Sequence, residues 1–297
     1  MESKKNTILI PTDFSSVAEN ALDHAINVAK TFGNEICIMH IFEDSFIGNI
    51  WGQKNSYKDG IVGQMLQEKL DGMSKDILEK HQVKTRAVIT TGKIYKTIIE
   101  FVEDDANDIE SIIMGTSGAE GFKQIIGSNA SRVISMSKVP VVVVREKQYG
   151  NGYKNIVMPI DLTLESKQKV SWAITLAKKY EAVIHVVTIK ESDEFIKSRI
   201  HANLNQVENV LEQNGVKFTV KLLDEDGTAG PVDDFIEYAE SINADLIMIM
   251  SQQEREGLSE FVIGSYAQQI VNQSKKIPVL AIAPKKTGMH ADLWSGM

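Results

Sequence analysis

Glycine and small polar residues are concentrated in one stretch of the chain, MGTSGAEGFKQIIGSN, from Met114 to Asn129. Gly115 and Gly118 follow an apolar run, and Gly127 and Ser128 open a segment with helical apolar spacing. Main chain without Cβ atoms forms a nest for anions, and a helix N-terminus attracts phosphate. The spacing indicates a phosphate site, although a tight turn with Ser128 as helix N-cap explains the same residues.

The stretch matches neither of two common nucleotide motifs. No Gly-Lys-Ser or Gly-Lys-Thr follows the glycines, as a Walker loop requires. The GxGxxG pattern of dinucleotide-binding domains is also absent.

The second half of the chain repeats the first. ILIPTDFSS near the N-terminus returns as IVMPIDLTL, so that Pro11 matches Pro159 and Asp13 matches Asp161. Each half ends with a proline before an apolar run, VPVVVV or IPVLAI. A repeat of this size indicates two copies of one domain. We predict domains at residues 1–146 and 153–285, a polar linker between them and a tail at residues 286–297.

Short β-rich runs alternate with helical patterns in both halves. Nearly unbroken apolar runs separated by helices indicate strands buried on both faces of a parallel sheet. Five such runs in each half predict two tandem, open, doubly wound α/β domains, which bind ligands beyond the carboxyl ends of their strands. Asp13 and the Gly115–Gly118 turn both follow strands, so we expect them at that edge. The predicted strands are Ile8–Ile10, Ile36–Ile41, Arg86–Thr90, Ile112–Met114, Val139–Val144, Ile156–Ile160, Val183–Val187, Phe218–Leu222, Leu246–Met250 and Val279–Ala283.

Together these features resemble the universal stress protein family, whose ATP-binding members carry Gly-x2-Gly-x9-Gly-Ser/Thr after the fourth strand. ILIPTDFSSVAENAL is similar to the family's opening strand and helix, IMHIF to its second strand and VPVVVVRE to its closing strand. The likeness runs from about Ile8 to Pro284 and implies the fold of the adenine nucleotide alpha hydrolases. The chain departs from the pattern in one respect, because eight residues instead of nine separate Gly118 from Gly127.

The resemblance implies an ATP site in the first domain, with Mg²⁺ or Mn²⁺ on the phosphates. Asp13 would lie beside the ribose and adenine, together with Pro11 and Thr12, and the main chain of Ile41 would meet the adenine edge. An Asp after a strand also commonly caps the next helix, so a structural role for Asp13 stays open. The residues that the resemblance places on the phosphates are Gly115, Gly118, Gly127, Ser128 and Asn129.

The second domain has lost the glycines that would hold a nucleotide. Counting back from Gly264-Ser265 with nine intervening residues places Glu254 at the second glycine and Ser251 at the first. A carboxylate repels phosphate, and residues with a Cβ lack the backbone freedom of glycine. We therefore expect no cofactor in the second domain.

Charge and composition argue against several classes of partner. The formal net charge is −8 and the pI about 5.4, which gives no basic field for nucleic acid. No apolar stretch approaches the ~18 residues of a membrane span. The single cysteine, Cys37, lies in an apolar run and reads as a buried thiol. We expect a cytoplasmic protein without nucleic-acid or membrane partners.

No set of residues predicts a catalytic centre. The six histidines lack metal-ligand spacing, and no residue stands out as a general base. We expect no enzyme, or at most a weak ATPase that uses unassisted water. A nucleotide-free interaction or regulatory protein of the same fold is the alternative, and the eight-residue gap favours it.

The closing strands bear on assembly. A free edge of four consecutive valines invites association, and natural proteins cover or pair such edges. We predict that Val141–Val144 pairs with Val279–Ala283 inside the molecule. Homodimerisation through other faces stays open.

Overall fold

The computed structural model describes residues 5–43, 60–116, 126–146, 152–161, 164–189, 193–224, 230–251 and 265–284. The chain divides into two compact units. The first comprises Met1–Gly152 together with Val271–Leu280, and the second comprises Tyr153–Ile270 with Ala281–Met297. A short segment near the end of the chain therefore belongs to the first unit.

The first unit is an open sheet of parallel strands connected by helices. Its strand order is β3-β2-β1-β4-β5. The chain runs outward from β1 to β3 and returns to the other side of β1 as β4, so the direction of winding reverses between β1 and β4. Its elements are β1 Thr7–Pro11, α1 Ser16–Phe32, β2 Glu35–Phe42, α2 Ile61–His81, β3 Thr85–Thr91, α3 Ile94–Glu103, a 3₁₀ turn at Asp105–Asn107, β4 Ile109–Gly115, α4 Ser128–Met136 and β5 Val141–Val144.

The second unit repeats this winding, with the order β8-β7-β6-β9-β10. Its reversal point lies between β6 and β9, which pair in parallel. The end of α8 and the start of β10 fall in the segment assigned to the first unit. The elements are β6 Asn155–Pro159, α5 Leu164–Tyr180, β7 Val183–Ile189, α6 Glu194–Gln213, β8 Lys217–Leu223, α7 Pro231–Ser241, β9 Leu246–Met250, α8 Ser265–Gln273 and β10 Val279–Ile282.

The predicted fold class is confirmed, and each of the ten predicted strands overlaps an observed one. The predictions held because the central strands are buried on both faces, as β1, β4 and β9 show. The predicted bounds were wrong only at the ends of some strands. Val139 precedes β5 because Pro140 lies between it and the first paired valine, and Ile160 and Ala283 lie just past their strands.

Helices α1 and α5 cover the reversal points with matching apolar faces. Apolar residues recur in the sequence with helical 3-4-3 spacing at the same offset in both halves, and in α5 they are all buried, at Val170, Ala173, Ile174 and Ala177. In α1 the matching residues Ala25, Ile26 and Ala29 are buried, whereas Leu22 is only half-buried. The Ser15 hydroxyl caps α1 by accepting from the Ala18 N–H at 3.2 Å.

Candidate functional site

The residues predicted at the end of β1 form a compact turn at the carboxyl edge of the first sheet. The exposed Asp13 accepts from the Ser15 N–H through Oδ1 at 3.0 Å, and the Thr12 hydroxyl accepts from the Phe14 N–H at 3.0 Å. Phe14 takes the left-handed conformation, with φ 62°, which a residue with a bulky side chain seldom adopts. The alternative that Asp13 caps the next helix was wrong, because the N-cap of α1 is Ser15; the Asp13 contact closes the turn before the helix.

The main chain of Ile41 faces the gap that opens beyond the end of β1. The last register pair between these strands is Pro11 with Met39, and the Thr12 N–H donates to the Met39 carbonyl at 2.8 Å. On the opposite side of β2, the Phe42 carbonyl accepts from the Gly92 N–H at 3.0 Å. Since main-chain groups alternate sides along a strand, the N–H and C=O of Ile41 point toward the side that β1 has left.

An aromatic cluster lies beside this gap. The His40 ring centroid is 5.0 Å from that of Phe14 and 5.1 Å from that of Phe42. His40 Nδ1 is 2.8 Å from the Thr12 carbonyl oxygen, and it must carry the proton because a carbonyl only accepts. Lys69 Nζ lies 4.1 Å from the Phe14 ring centroid. Phe14, Phe42 and Lys69 were not predicted from the sequence, in which the aromatic residues next to Asp13 and Ile41 were the available signal.

Gly115 lies at the end of β4, where it pairs with Val144. A Cβ built at this position would lie 2.9 Å from Val17 Cγ1 and 3.3 Å from the Val17 carbonyl carbon. The first turn of α1 therefore approaches β4 too closely for a side chain. Glycine at this position has a packing role that does not depend on a ligand.

The second half of the glycine-rich stretch opens α4. The N-cap is Gly127 and not Ser128, so the alternative that assigned the cap to Ser128 was wrong. Among the residues that the structure describes, no side chain caps the start of this helix; Ser128 is exposed and Asn129 half-buried. The first N–H groups of α4 thus lack a side-chain acceptor at a terminus that carries partial positive charge. Gly118 lies outside the described residues.

The two ends of the loop between β4 and α4 are tied together. The Gly127 N–H donates to the Thr116 carbonyl at 2.6 Å. Arg145 Nε donates to the Thr116 hydroxyl at 3.0 Å, and burial lowers the pKa of its guanidinium. Because this bond fixes the start of α4 next to the end of β4, an eight-residue spacing does not displace the helix N-terminus from Gly115.

Asn272, from the late segment of the first unit, joins the same network. Its side-chain oxygen accepts from the Ile126 N–H at 2.9 Å, and its carbonyl accepts from Arg145 Nη1 at 2.9 Å. Neither Arg145 nor Asn272 was predicted from the sequence. No signal pointed to Asn272, since it is 146 positions from its partner Ile126.

The corresponding edge of the second unit shows that our residue count was wrong by one position. The Ser251 N–H donates to the Ile282 carbonyl at 2.8 Å, as the Thr116 N–H donates to the Val144 carbonyl at 3.3 Å. Ser251 therefore matches Thr116, and Met250 matches Gly115. The count failed because Gly264 follows Ser251 by 13 positions, whereas Gly127 follows Thr116 by 11. Glu254 and Gly264 lie outside the described residues.

Metal ligands are sparse at these edges. Within the described ranges, no group of three or more His, Cys, Asp or Glu side chains is placed to hold a metal ion. A divalent cation at the first edge would need phosphate oxygens and water as its main ligands, and Asp13 is the carboxylate next to it.

Comparison with known proteins gives the family. The model of the universal stress protein family matches residues 5–145 and again residues 152–283. The chain belongs to the universal stress protein family. A universal stress protein of Methanocaldococcus jannaschii is 33% identical over 150 residues, which are 49% of this chain and 85% of the relative. One from Synechocystis is 24% identical over 298 residues, covering 92% of this chain and 98% of that protein.

A solved structure supports the same fold. The crystal structure of a universal stress protein from Archaeoglobus fulgidus superposes with a TM-score of 0.76 at 22% identity. The match covers 95% of this chain and 99% of that one. Among the described residues, no helix combines the length and the apolar character that crossing a membrane requires.

Proposed function

We propose that the first unit of this universal stress protein binds ATP with Mg²⁺ or Mn²⁺ and acts as a cytoplasmic nucleotide-responsive module. The observation that carries the proposal is the start of α4, which is held at the end of β4 by the bond from Gly127 to Thr116. Its N–H groups have no side-chain cap, so a phosphate is the natural acceptor. Gly115, Gly118, Ser128 and Asn129 complete the proposed phosphate site.

The base end of the proposed site lies at the gap beside β2. The N–H and C=O of Ile41 offer the donor and acceptor pair that an adenine edge requires. Pro11 and Thr12 form the adjoining end of β1, and the Phe14 and His40 rings provide aromatic surface for a base or ribose. Asp13 keeps one carboxylate oxygen beyond the Ser15 turn, and we assign that oxygen to a ribose hydroxyl.

The second unit is proposed to lack a nucleotide. Met250 occupies the position of Gly115, and Glu254 introduces a carboxylate into the loop that follows. A side chain at the strand end and a like charge beside the phosphates both oppose binding.

We propose no catalytic activity beyond slow hydrolysis by unassisted water. Asp13, the carboxylate that we place beside the ribose, already accepts from the Ser15 N–H, and we assign no side chain as a general base. The pairing of the closing strands and a homodimer remain predictions about assembly.

A nucleotide-free interaction protein is the second candidate. The close approach of Val17 favours it, because Gly115 is needed for packing whether or not a phosphate binds. Under this proposal the geometry of the edge would serve the packing of α1 and leave the exposed start of α4 for a protein partner.

Titration calorimetry of the full chain with MgATP separates the two. We expect one site per chain, and we expect Gly118→Glu to abolish it because a carboxylate then enters the phosphate site. Gly72→Glu is the matched control, since a Cβ at Gly72 on exposed α2 meets no atom within 4 Å. Two equal sites per chain, or unchanged binding in Gly118→Glu at an unchanged melting temperature, would contradict the proposal.

A further inference from the structure

Lys169 is a buried cation in the second unit. It lies in α5 and is 3% exposed, at the position that Ala21 occupies in α1 of the first unit. Burial lowers the pKa of its ammonium to about 8, although the Asp161 carboxylate acts to raise it. The carboxylate therefore offsets only part of the cost of burying this charge, and a second anion would be stabilised there.

The position of Lys169 in its helix directs the side chain to the ligand-binding edge of the sheet. Side chains on a helix lean toward its N-terminus. Helix α5 starts at the carboxyl end of β6, where Asp161 lies, so the Lys169 stem runs back toward that end. The electrostatic coupling between Lys169 and Asp161 agrees with this direction.

Two residues that bear hydroxyl groups, Ser251 and Tyr266, lie at the same edge on the other side of the reversal point. Ser251 directly follows β9, is 1% exposed, and its Oγ is buried without a hydrogen-bond partner. Tyr266 is the second residue of α8, which also starts at this edge, and its ring lies 6.4 Å from that of Phe235. Burial, with a smaller effect of Asp161, raises the pKa of Tyr266 to about 12, so its hydroxyl keeps its proton and can donate.

We propose that the crevice between β6 and β9 binds a small oxyanion through the Lys169 ammonium and the hydroxyls of Ser251 and Tyr266. In open α/β sheets the crevice where the winding reverses is the site at which ligands bind. The three groups are hydrogen-bond donors from α5, β9 and α8, and an oxyanion such as phosphate or sulfate accepts from several donors at once. The oxyanion is either free or the phosphate group of a larger ligand.

The site differs from the one proposed in the first unit. Its charge is supplied by a side chain, whereas the first unit offers main-chain N–H groups and has alanine at the matching position. Asp161 is exposed at the rim and repels further negative charge, so a compact anion fits better than a triphosphate. The inference does not rest on ATP binding by the first unit.

The test is titration calorimetry with sulfate and, separately, with MgATP on the full chain that carries Gly118→Glu, which removes the first-unit site. We expect one sulfate site per chain. Lys169→Met keeps the length of the stem without the charge and should weaken sulfate binding at least about tenfold, because a charge-assisted contact is lost. Lys167→Met, two residues away on the same helix, is the control and should bind as the parent does.

The possible results distinguish a free oxyanion, a larger ligand that carries the oxyanion, and the absence of a site. Binding of MgATP but not of sulfate, with the same dependence on Lys169, would identify the oxyanion as part of a larger ligand and would contradict the proposal that the second unit lacks a nucleotide. The inference is overturned if neither ligand binds at millimolar concentration, or if Lys169→Met binds as tightly as the parent. Lys169→Met should melt at or above the temperature of the parent, because an apolar residue of similar volume replaces a buried charge. A lack of MgATP binding by the unmutated chain would count against the first-unit proposal alone.

Discussion

Gly115 is constrained by the residue beside it, which makes its role testable without any ligand. Gly115→Ala places a methyl group 2.9 Å from Val17 Cγ1 and 3.3 Å from Val17 main-chain carbon. We expect a loss of about 1–3 kcal/mol in the free energy of unfolding, as for other overpacked sites. Urea denaturation of the parent and of Gly115→Ala measures this loss in the free energy of unfolding.

Two further variants show whether Val17 is the cause. Val17→Ala removes Cγ1 but leaves the main-chain carbon, so in the double variant the cost of Gly115→Ala should fall by about 1 kcal/mol without vanishing. Gly72→Ala, with open space around its Cβ in an exposed helix, should be neutral or stabilising. Equal costs of Gly115→Ala with and without Val17 would show that the strain lies elsewhere.

At the scale of the residue, some members of the candidate site could be predicted from the sequence and others could not. Turn geometry and local spacing indicated Asp13 and Gly127, whereas Ile41 was indicated by the family resemblance alone. Arg145 and Asn272 escaped notice, since their importance arises from a contact between distant positions of the chain. The match of Ser251 to the first glycine was wrong for a related reason. Counting back from Gly264 assumes a fixed number of residues, whereas the two halves differ in the number of residues that follow the strand.

At the scale of the element, strands were easier to predict than their ends. A strand buried on both faces leaves an apolar run in the sequence, whereas its last residue depends on where the neighbouring strand stops. Helix α1 shows the limit of periodicity. The apolar spacing that begins at Leu22 accounts for the buried Ala25, Ile26 and Ala29, but not for the burial of Ala21 and His24.

Helix α1 carries a pH dependence through His24, which is 1% exposed. Burial lowers its pKa to about 3 from the ordinary 6.5. Below pH 6.5 the unfolded chain therefore binds a proton that the folded chain does not, and stability falls as the pH falls toward 3. The slope approaches about 1.4 kcal/mol per pH unit for one proton.

Urea denaturation between pH 7.5 and pH 5 measures this slope, with His24→Leu as the comparison. We expect the variant to lose this contribution while keeping that of His185, whose pKa burial also lowers. Identical pH profiles for the two proteins would mean that His24 is protonated in the folded state, against the prediction.

At the scale of the whole molecule, the first unit combines the first 152 residues with Val271–Leu280 from late in the sequence. A chain that ends at Gly152 lacks Val271–Leu280 and so loses the acceptors that Asn272 provides to Ile126 and Arg145. We expect this fragment to bind MgATP about tenfold more weakly than the full chain, since two hydrogen bonds near the start of α4 are gone. Calorimetry on the two proteins gives the comparison.

A point variant distinguishes this effect from general damage by truncation. Asn272→Ala in the full chain should reproduce part of the loss, whereas Gln269→Ala, at an exposed position of α8, should not. Equal affinity of the Gly152 fragment and the full chain would show that the late segment does not support the site.

The contribution of Asn272 also sets an order of events during synthesis. The ribosome completes residue 152 and must add the whole second unit before residue 280 exists, which takes roughly 6–25 s at 5–20 residues per second. During that interval the nascent first unit lacks the two acceptors that Asn272 provides to Ile126 and Arg145. A chain released early, anywhere in its second half, would carry a recognisably unfinished first unit, available to chaperones and proteases.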